Sequence, residues 1–302
     1  MDYEYTLNGR KGDKLFVFLN SAFLTIFFIV ILYPLLYVLS ASISDPLYVS
    51  SGEMWLLPKG ITFEGYKRVL NNGDIWMGYG NTIIYTLTGT FISLAATIPS
   101  AYALSRKDLR GRNIIMALFL FTMFFSGGLV PLYLVVKNLN MLNTVWSVLL
   151  PAACSVWNIV ITRTFFISTI PKGLEEAAQI DGCNNFKLFF KIIIPLSMPI
   201  VAVMALFYAV GRWNSYFNEI IFLKDRNLFP LQVFLREILI INQMNDSNMI
   251  TSISAESLAE QARISEIVKY SVMIVATLPI LCVYPFLQKY FVKGVMIGSI
   301  KG

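Results

Sequence analysis

The sequence predicts an all-α integral-membrane fold with six transmembrane helices, and two observations support this prediction. Of the 302 residues, 56% are hydrophobic and only 14% are charged, whereas about 25% of the residues of a soluble domain are charged. The apolar residues are also gathered into six stretches, each long enough for a bilayer-crossing helix, which takes about 20 mostly apolar residues. We therefore expect lipid to surround most of this chain.

The predicted spans form one transmembrane domain, residues 1–302. Arg10, Lys11 and Lys14 precede the first apolar stretch, as in a signal peptide, but this stretch is longer than the roughly 7–15 residues of a signal core. We therefore interpret it as an uncleaved first span. Residues 43–80 and 212–269 are expected to form small elements outside the membrane. The predicted spans cover about residues 15–42, 81–105, 113–136, 143–161, 192–211 and 270–287.

The positive residues predict the orientation of the spans, because Lys and Arg are enriched in cytoplasmic segments. If the N-terminus is cytoplasmic, the inside segments hold more than half of the 24 Lys and Arg residues, whereas the short connection between the third and fourth spans holds Lys137 alone. Both termini are therefore predicted to be cytoplasmic. The inside positive residues are Arg10, Lys11, Lys14, Arg106, Lys107, Arg110, Arg112, Arg163, Lys172, Lys187, Lys191, Lys289, Lys293 and Lys301.

Several kinds of site are not predicted by this sequence. The spans contain essentially no charged residue, which disfavours a proton-driven carrier, since such carriers use buried acids or histidines. A sodium-driven carrier can coordinate its ion through backbone carbonyls, so the absence of buried charges does not exclude this class of protein. The chain has no histidine, and Cys154, Cys183 and Cys282 have no disulfide or metal spacing. We therefore expect no catalytic or metal site, and no basic, aromatic-rich run indicates nucleic acid as a partner.

The most informative segment precedes the fifth span, and we call residues 171–191 the 171–191 loop. Leu174 to Ile180 are predicted to form a short helix, with acidic residues near its positive amino end. Asp181 and Gly182 are expected to end this helix, because glycine tolerates positive φ. A second helix follows, and Pro195 marks the entry into the membrane. Two short helices joined by a tight turn are predicted to present a docking surface at the cytoplasmic face.

This segment resembles the signature E-A-A-x-x-x-G-x₉-I-x-L-P of the permeases of ATP-binding-cassette (ABC) importers. Ile194 replaces the usual leucine, and Asp181 before the glycine is also usual in the carbohydrate-uptake branch. Other segments resemble permeases similar to the smaller maltose-transporter permease and the oligosaccharide/polysaccharide-type subfamily. These segments are the Trp213-Asn214 pair, residues 101–106, 110–112 and 125–131, and the ending from Tyr284. The matching signature positions are Glu176, Ala177, Ala178, Gly182, Ile192 and Pro195.

The resemblance implies the type I (MetI-like) importer permease fold in a bacterial plasma membrane and a multi-pass chain that is not an enzyme. It implies a heterodimer with a second homologous permease, two ATPase subunits that bind ATP and Mg, and an extracellular lipoprotein or periplasmic solute-binding protein. No phosphate-binding G-x-x-x-x-G-K-[ST] loop occurs in this chain. The cargo implied is a carbohydrate, specifically an oligosaccharide. The residues implied to couple the ATPase are Glu175, Glu176, Ala177, Ala178, Asp181, Gly182 and Pro195.

Alternative hypotheses keep the importer but change the cargo to another polyol or a sugar phosphate, or replace the importer with an ion-coupled secondary carrier. A membrane-embedded enzyme is disfavoured by the missing histidines and buried acids. Sugars bind aromatic faces flanked by amides, so a substrate path is predicted at Trp213, Asn214, Tyr216, Asn218 and Asn158. An interfacial aromatic belt explains the aromatic members equally well. Arg212 is expected to extend to the outer interface.

Overall fold

The computed structural model describes residues 11–247, residue 263 and residues 268–282. Within these residues the regular elements are helices, with a π-helical turn at Phe189–Ile193 and a 3₁₀ turn at Arg226–Leu228, and no strand is present. The helices are α1 (Lys11–Ser42), α2 (Pro46–Ser50), α3 (Glu64–Leu70), α4 (Gly73–Ser105), α5 (Arg112–Phe124), α6 (Leu129–Asn138), α7 (Val145–Leu149), α8 (Val156–Thr169), α9 (Lys172–Ile180), α10 (Asn185–Leu188), α11 (Ile194–Leu196), α12 (Met198–Trp213), α13 (Phe217–Phe222), α14 (Leu231–Ser247) and α15 (Val268–Cys282).

Among the described residues, the helices long and apolar enough to cross a membrane by themselves are α1 and α4. Helix α1 covers the first predicted span. Helix α4 has 33 residues and begins at Gly73, ahead of the predicted start at residue 81, because the Asn72 side chain caps it by accepting a hydrogen bond from the Asp74 amide. Capping of this kind lies outside the apolar run, so hydropathy alone placed the start of this helix too late.

The third, fourth and fifth predicted spans are interrupted in the described residues. The stretch 113–136 forms α5 and α6, which meet at an angle of 114°, and Gly128 at the break has a positive φ of 85°. The stretch 143–161 is divided between α7 and α8, and Pro151 follows the end of α7. Proline has no amide hydrogen with which to continue the helix. In the fifth predicted span, α12 is bent by 80° from the helical turns before it. Residues 283–287 of the sixth lie outside the described residues, so the count of six and the side of both termini stay predictions.

The chain divides into two compact units, Met1–Asn71 with Ile238–Val275 and Asn72–Glu237 with Ala276–Gly302. In the first unit, the apolar side chains of α1 are largely exposed. The carboxyl end of α1 is anchored by a small cluster in which Ala41, Val49 and Met54 are buried beside Tyr37 and Tyr270. An exposed apolar surface of this length suits lipid or a second membrane protein.

The second unit is built around α4, α8 and α12, which pack against one another. Its core includes Ala101, Ile159 and Met204, each with no exposed surface. Lipid tails are as apolar as leucine, so helices in a membrane are held by close packing and by polar bonds. Both occur here, since the Thr97 and Tyr208 hydroxyls share a buried hydrogen bond of 2.6 Å between α4 and α12.

Candidate functional site

The first half of the 171–191 loop is helix α9, which begins directly after Pro171. Glu175 lies in its first turn, where the helix dipole favours a negative charge. Ala178 is buried in the core cluster, whereas Glu176 and Ala177 are exposed. The helix therefore has one face fixed to the protein and one face available to a partner.

The turn after α9 depends on Gly182, whose φ is 73°. The Cys183 amide donates to the Ala178 carbonyl over 2.9 Å, and the Asp181 amide donates to Ala177 over 3.0 Å. The first of these bonds is the one that closes a Schellman turn, which places a residue of positive φ after the last helical residue. A Cβ at Gly182 would meet nothing within 4 Å, so backbone conformation alone makes glycine the favoured residue here.

The second half of the loop continues into the bent entry of α12. Asn184 caps α10 by accepting a hydrogen bond from the Lys187 amide over 2.8 Å. A π turn follows, in which the Ile194 amide donates to the Phe189 carbonyl. Pro195 has no amide hydrogen, so it cannot complete the ordinary α-helical ladder at this point. π turns of this kind are frequent at functional sites.

Both helices of the loop bond to the carboxyl end of α4. The Tyr102 hydroxyl donates to Glu175 Oε1 over 3.0 Å, and Arg106 Nη1 donates to Asn185 Oδ1 over 3.0 Å. The Tyr102 ring packs against Phe166 and Phe189 at centroid distances of 5.6 and 5.3 Å. Helix α4 is thus joined to α9 and α10 by separate side-chain bonds.

Two further arginines cap the carboxyl end of α4. Arg163 Nε donates to the Leu104 carbonyl over 2.9 Å, and Arg112 Nη1 donates to the Arg106 carbonyl over 3.1 Å. Positive side chains are favourable at this end of a helix dipole. Arg106 itself forms a bidentate ion pair with Asp108. This pair holds the pKa of the Asp108 carboxyl below its usual value.

Two phenylalanines of the loop face outward, as does Ile180. Phe186 is 79% exposed and Phe190 is 60% exposed, whereas Phe189 is buried. The exposed pair lines a cavity of about 490 Å³ together with Tyr102 and Arg106. Of the two adjacent phenylalanines, then, only Phe189 packs inside the protein.

The predicted substrate-path residues differ from one another in exposure and in their partners. Trp213 is buried and donates its indole N–H to the Ala276 carbonyl over 3.0 Å. Asn214 is exposed and donates to the Val210 carbonyl. The Tyr216 ring carries the Arg236 guanidinium at 4.6 Å. Asn218 is half-buried and Asn158 is buried in α8. The polar edge of Trp213 is therefore used inside the fold.

Arg212 has a structural position that differs from the expected one. It is only 9% exposed, and its Nη1 and Nη2 atoms donate to the carbonyls of Val148 and Leu149 over 2.7 and 2.8 Å. These carbonyls lie at the carboxyl end of α7, and Gly89 of α4 leaves room for the side chain, since a Cβ there would lie 2.9 Å from Arg212 Nε. The expectation that Arg212 reaches the outer interface is wrong.

The geometry of the 171–191 loop agrees with a match between this chain and a known protein family. A family model described as "Binding-protein-dependent transport system inner membrane component" matches residues 75–297, which include the whole 171–191 loop. The chain belongs to this family. The recognition based on the 176–195 motif is thereby confirmed.

Similar proteins agree with the family assignment. "Protein LplC" of Bacillus subtilis (strain 168) is 38% identical over 99% of this chain and 99% of its own length. The "Polygalacturonan/rhamnogalacturonan transport system permease protein YtcP" of the same organism is 40% identical over 96% of this chain and 99% of its own. A chain of a solved structure, "Crystal structure of a bacterial ABC transporter involved in the import of the acidic polysaccharide alginate", superposes with a TM-score of 0.82 at 35% identity, covering 94% of this chain and 99% of that chain.

Sequence reasoning about this permease missed two residues of the site, Tyr102 and Arg106. Both lie in the segment 101–106, whose sequence indicates only a family resemblance and, through the charge of Arg106, the orientation of the spans. The available signal was an aromatic hydroxyl and a cation, one helical turn apart, at the end of an otherwise apolar helix. The partners Glu175 and Asn185 are more than 70 residues away, so sequence alone did not link them.

Proposed function

We propose that this chain is the transmembrane permease subunit of an ATP-driven importer, through which an oligosaccharide delivered by an extracellular binding protein crosses the membrane. The observation that carries the proposal is the geometry of the 171–191 loop. Two short helices meet at a glycine of positive φ, at the spacing of the family signature, with Glu176 and Ala177 on the exposed side. Membership of the binding-protein-dependent family supports the same reading.

Two ATPase subunits, which bind ATP and Mg, are the proposed partners at this loop. The loop that carries the exposed Glu176 also carries the exposed apolar side chains of Ile180 and Phe186, at 86% and 79% exposure. Large apolar side chains grouped on a polar loop favour burial against a protein partner. A groove on the ATPase would cover them, and Glu176 would contact a basic or polar group at its edge.

A second, homologous permease is the proposed membrane partner, with lipid around the pair. ATP binding would draw the ATPase subunits together and turn the permeases to face outward, and hydrolysis would reset them. This chain then performs no chemistry, because it is a two-state element whose balance is shifted by ligands on both sides. The proposed location is a bacterial plasma membrane, with both termini in the cytoplasm.

The proposed cargo is a carbohydrate because of the names of similar permeases. One relative is a polygalacturonan/rhamnogalacturonan permease. Another, at 29% identity, is the "Melibiose/raffinose/stachyose import permease protein MelC" of Bacillus subtilis (strain 168). The solved structure is that of a transporter involved in the import of alginate. The proposed substrate path keeps Asn214, Tyr216 and Asn218 as its candidates. Trp213 and Asn158, which are buried, would contribute by positioning neighbouring residues.

The proposal is tested by isolating the full chain from its native host with whatever it binds. We expect a second permease and an ATPase to co-purify. In proteoliposomes, ATP hydrolysis should rise when the neighbouring binding protein is added with one of three probes: oligogalacturonides, alginate oligosaccharides or raffinose. Recovery of the chain alone, transporting a probe without ATP, would contradict the proposal and indicate a secondary carrier.

A charge reversal at the exposed face of α9 sharpens this test. Glu176→Lys should leave the chain inserted and folded but weaken its hold on the ATPase, because an exposed acidic contact becomes repulsive. The matched control is Glu53→Lys, which reverses an exposed acid in the first unit. Retention of the ATPase by both variants, with equal uptake, would remove α9 from the proposed interface.

A further inference from the structure

We propose that Tyr102 and Arg106 are positioning residues that transmit movement of the 171–191 loop to α4 and, along α4, to residues 227–231. This inference rests on the proposed function, in which the ATPase moves the loop. It adds to that function a defined mechanical path within this chain. The path begins at Tyr102 in the last turn of α4 and at Arg106, the residue that follows the helix. It ends at main-chain groups of residues 227–231 that bond to the amino-terminal half of α4.

The first connection is the bond from Tyr102 to Glu175. Tyr102 is only 7% exposed, and Phe166 and Phe189 enclose its ring, so the hydroxyl has a fixed position. It donates to a carboxylate oxygen over 3.0 Å, and hydrogen bonds to charged acceptors are about twice as strong as neutral ones. Any displacement of α9 therefore acts on the Tyr102 side chain, which the two neighbouring rings hold in place.

The second connection is the bond from Arg106 to Asn185. The Arg106 side chain is 11% exposed, and Asp108 orients its guanidinium by accepting from Nε and Nη2 over 2.8 and 2.6 Å. The remaining nitrogen, Nη1, donates to Asn185 at the start of α10. Because α9 and α10 are each attached to α4, the loop can transmit rotation as well as translation.

The main chain that connects the loop to α12 contains features at which it can bend. Between α10 and α12 the chain passes through a π turn, Pro195 and a bend of 80°. Proline and π turns are the features at which helices kink. A push on the loop would therefore be absorbed along this route. The two side-chain bonds instead act on the end of α4, which stays one continuous helix of 33 residues although it contains Pro99.

The far end of α4 is fixed to a segment predicted to lie outside the membrane. Asn81 donates to the carbonyls of Asn227 and Phe229 over 2.7 and 3.0 Å, and Tyr85 donates to the Leu228 carbonyl over 2.9 Å. The Leu231 amide donates to Thr82 Oγ1 over 2.8 Å. From Asn81 to Tyr102, at a rise of about 1.5 Å per residue, α4 spans roughly 30 Å, so one continuous helix joins the loop to this segment.

The test uses the complete transporter, with the partner permease, ATPase and binding protein, in proteoliposomes. The probe is the oligosaccharide, among the three named above, that most stimulates ATP hydrolysis by the wild-type complex. Tyr102→Phe keeps the packed ring and removes only the hydroxyl. We expect stimulation to fall about tenfold or more, as the loss of one hydrogen bond to a charged group implies, with complex yield and apparent Tm unchanged.

A double-mutant comparison separates transmission from a merely structural role. Tyr102→Phe should lower stimulation in the wild-type background and have no further effect in a Glu175→Ala background, because the two groups act as one pair. Arg106→Lys, which cannot present the planar fork, should behave in the same way against Asn185→Ala. The control is Tyr133→Phe, whose ring stacks on Phe222 in α13, away from the loop.

Three results would overturn the inference. Stimulation of wild-type size in Tyr102→Phe would remove the first connection, and multiplied losses in the double variants would show that the paired residues act independently. Parallel falls in yield, apparent Tm and stimulation would indicate stability alone. Failure of the proposed function is distinguishable, because in that case the wild-type chain would neither retain an ATPase nor show stimulated hydrolysis.

Discussion

The two halves of α4 are held by different kinds of bond. In the half from residue 73 to residue 89, Asn81 and Tyr85 donate to main-chain carbonyls, and Gly78 and Gly89 receive neighbouring side chains against the helix backbone. At the carboxyl end, Tyr102 and Arg106 bond instead to side chains of the 171–191 loop. One half of the helix thus depends on close backbone contact and the other on side-chain pairs.

This difference assigns different tasks to the two halves. Close backbone contacts and the buried bond from the Leu231 amide to Thr82 are lost only when the surrounding structure opens, because an unpaired buried polar group is costly. Side-chain pairs near the surface exchange more readily with water and reform. Changes in the first half should therefore lower stability, whereas changes at the carboxyl end should lower coupling at nearly constant stability.

The largest effect is expected from Arg212, which packs against α4 at Gly89. Arg212→Met would leave the Val148 and Leu149 carbonyls without their donor and the buried Glu219 without its nearby positive charge. Removing one member of such a buried polar group costs about 3 kcal/mol or more. We expect the apparent Tm of the variant in nanodiscs, measured by intrinsic tryptophan fluorescence, to be much lower than that of the wild type.

The control for this variant is Arg236→Met, since Arg236 is exposed and stacks on Tyr216. An exposed cation–π contact contributes only about 0.5–1 kcal/mol. Equal shifts in apparent Tm for the two variants would show that the Arg212 position is not a stabilising one.

The next effect is expected at Gly78. A Cβ at this position would lie 2.8 Å from Phe234 Cδ2 and 3.0 Å from the Leu231 backbone, so Gly78→Ala should push α14 away from α4. Overpacking of this kind costs about 1–3 kcal/mol. The apparent Tm should fall, and stimulated ATP hydrolysis per folded complex should change little.

Gly80→Ala provides a matched control two residues along the same helix. A Cβ at Gly80 meets nothing within 4 Å, and alanine is the better helix former by about 1 kcal/mol. This variant should be neutral or more stable than the wild type. A loss of stability at Gly80 as large as at Gly78 would mean that helix propensity, and not the contact with α14, governs this half.

The sequence predicted the helical membrane fold, the family and the helix–turn–helix of the 171–191 loop, because composition and the spacing around Gly182 depend on local chemistry. It did not predict that the third to fifth spans are interrupted. An apolar run at Gly127 and Gly128 reads the same whether the helix continues or turns by 114°. It also misplaced Arg212, since the carbonyls that receive this side chain lie more than 60 residues earlier. Long-range pairing of polar groups has no local signal.

A change confined to the loop should show the opposite behaviour from Gly78. Gly182 has a φ of 73° with open space around it, so Gly182→Ala adds about 1 kcal/mol of backbone strain without a clash. We expect the turn between α9 and α10 to shift and stimulated ATP hydrolysis to drop severalfold. Apparent Tm should change by a few degrees at most.

Gly52→Ala is the control for this strain, because Gly52 also has a φ of 73° with nothing within 4 Å, in the first unit. It should show the same small change in apparent Tm with full stimulation. If both variants lost stimulation equally, the effect at Gly182 would reflect general strain and not the turn of the loop.

The smallest effect is expected from the pair between Asp108 and Arg106. Arg106 lowers the pKa of Asp108 in the folded protein. The pair therefore stabilises the fold at pH values above the ordinary carboxyl pKa, near 4, and this contribution is lost as the pH falls through the lowered pKa. Because Asp108 is 65% exposed, its contribution is at most about 1 kcal/mol. Asp108→Asn should lower the apparent Tm slightly at pH 7, and the difference from wild type should shrink in acid.

The coupling readout gives this last comparison its value, because Asp108 orients the guanidinium that bonds to Asn185. Glu64→Gln is the control, since Glu64 forms an equally short pair with Arg68, 2.6 Å, in the first unit. Both variants should lose the same small stability, but only Asp108→Asn should also lower stimulated ATP hydrolysis, by about twofold, the expected effect of about 0.5 kcal/mol. Equal stimulation in the two variants would mean that Arg106 keeps its position without Asp108, and that Tyr102 and the neighbouring helix ends suffice to hold the carboxyl end of α4 against the loop.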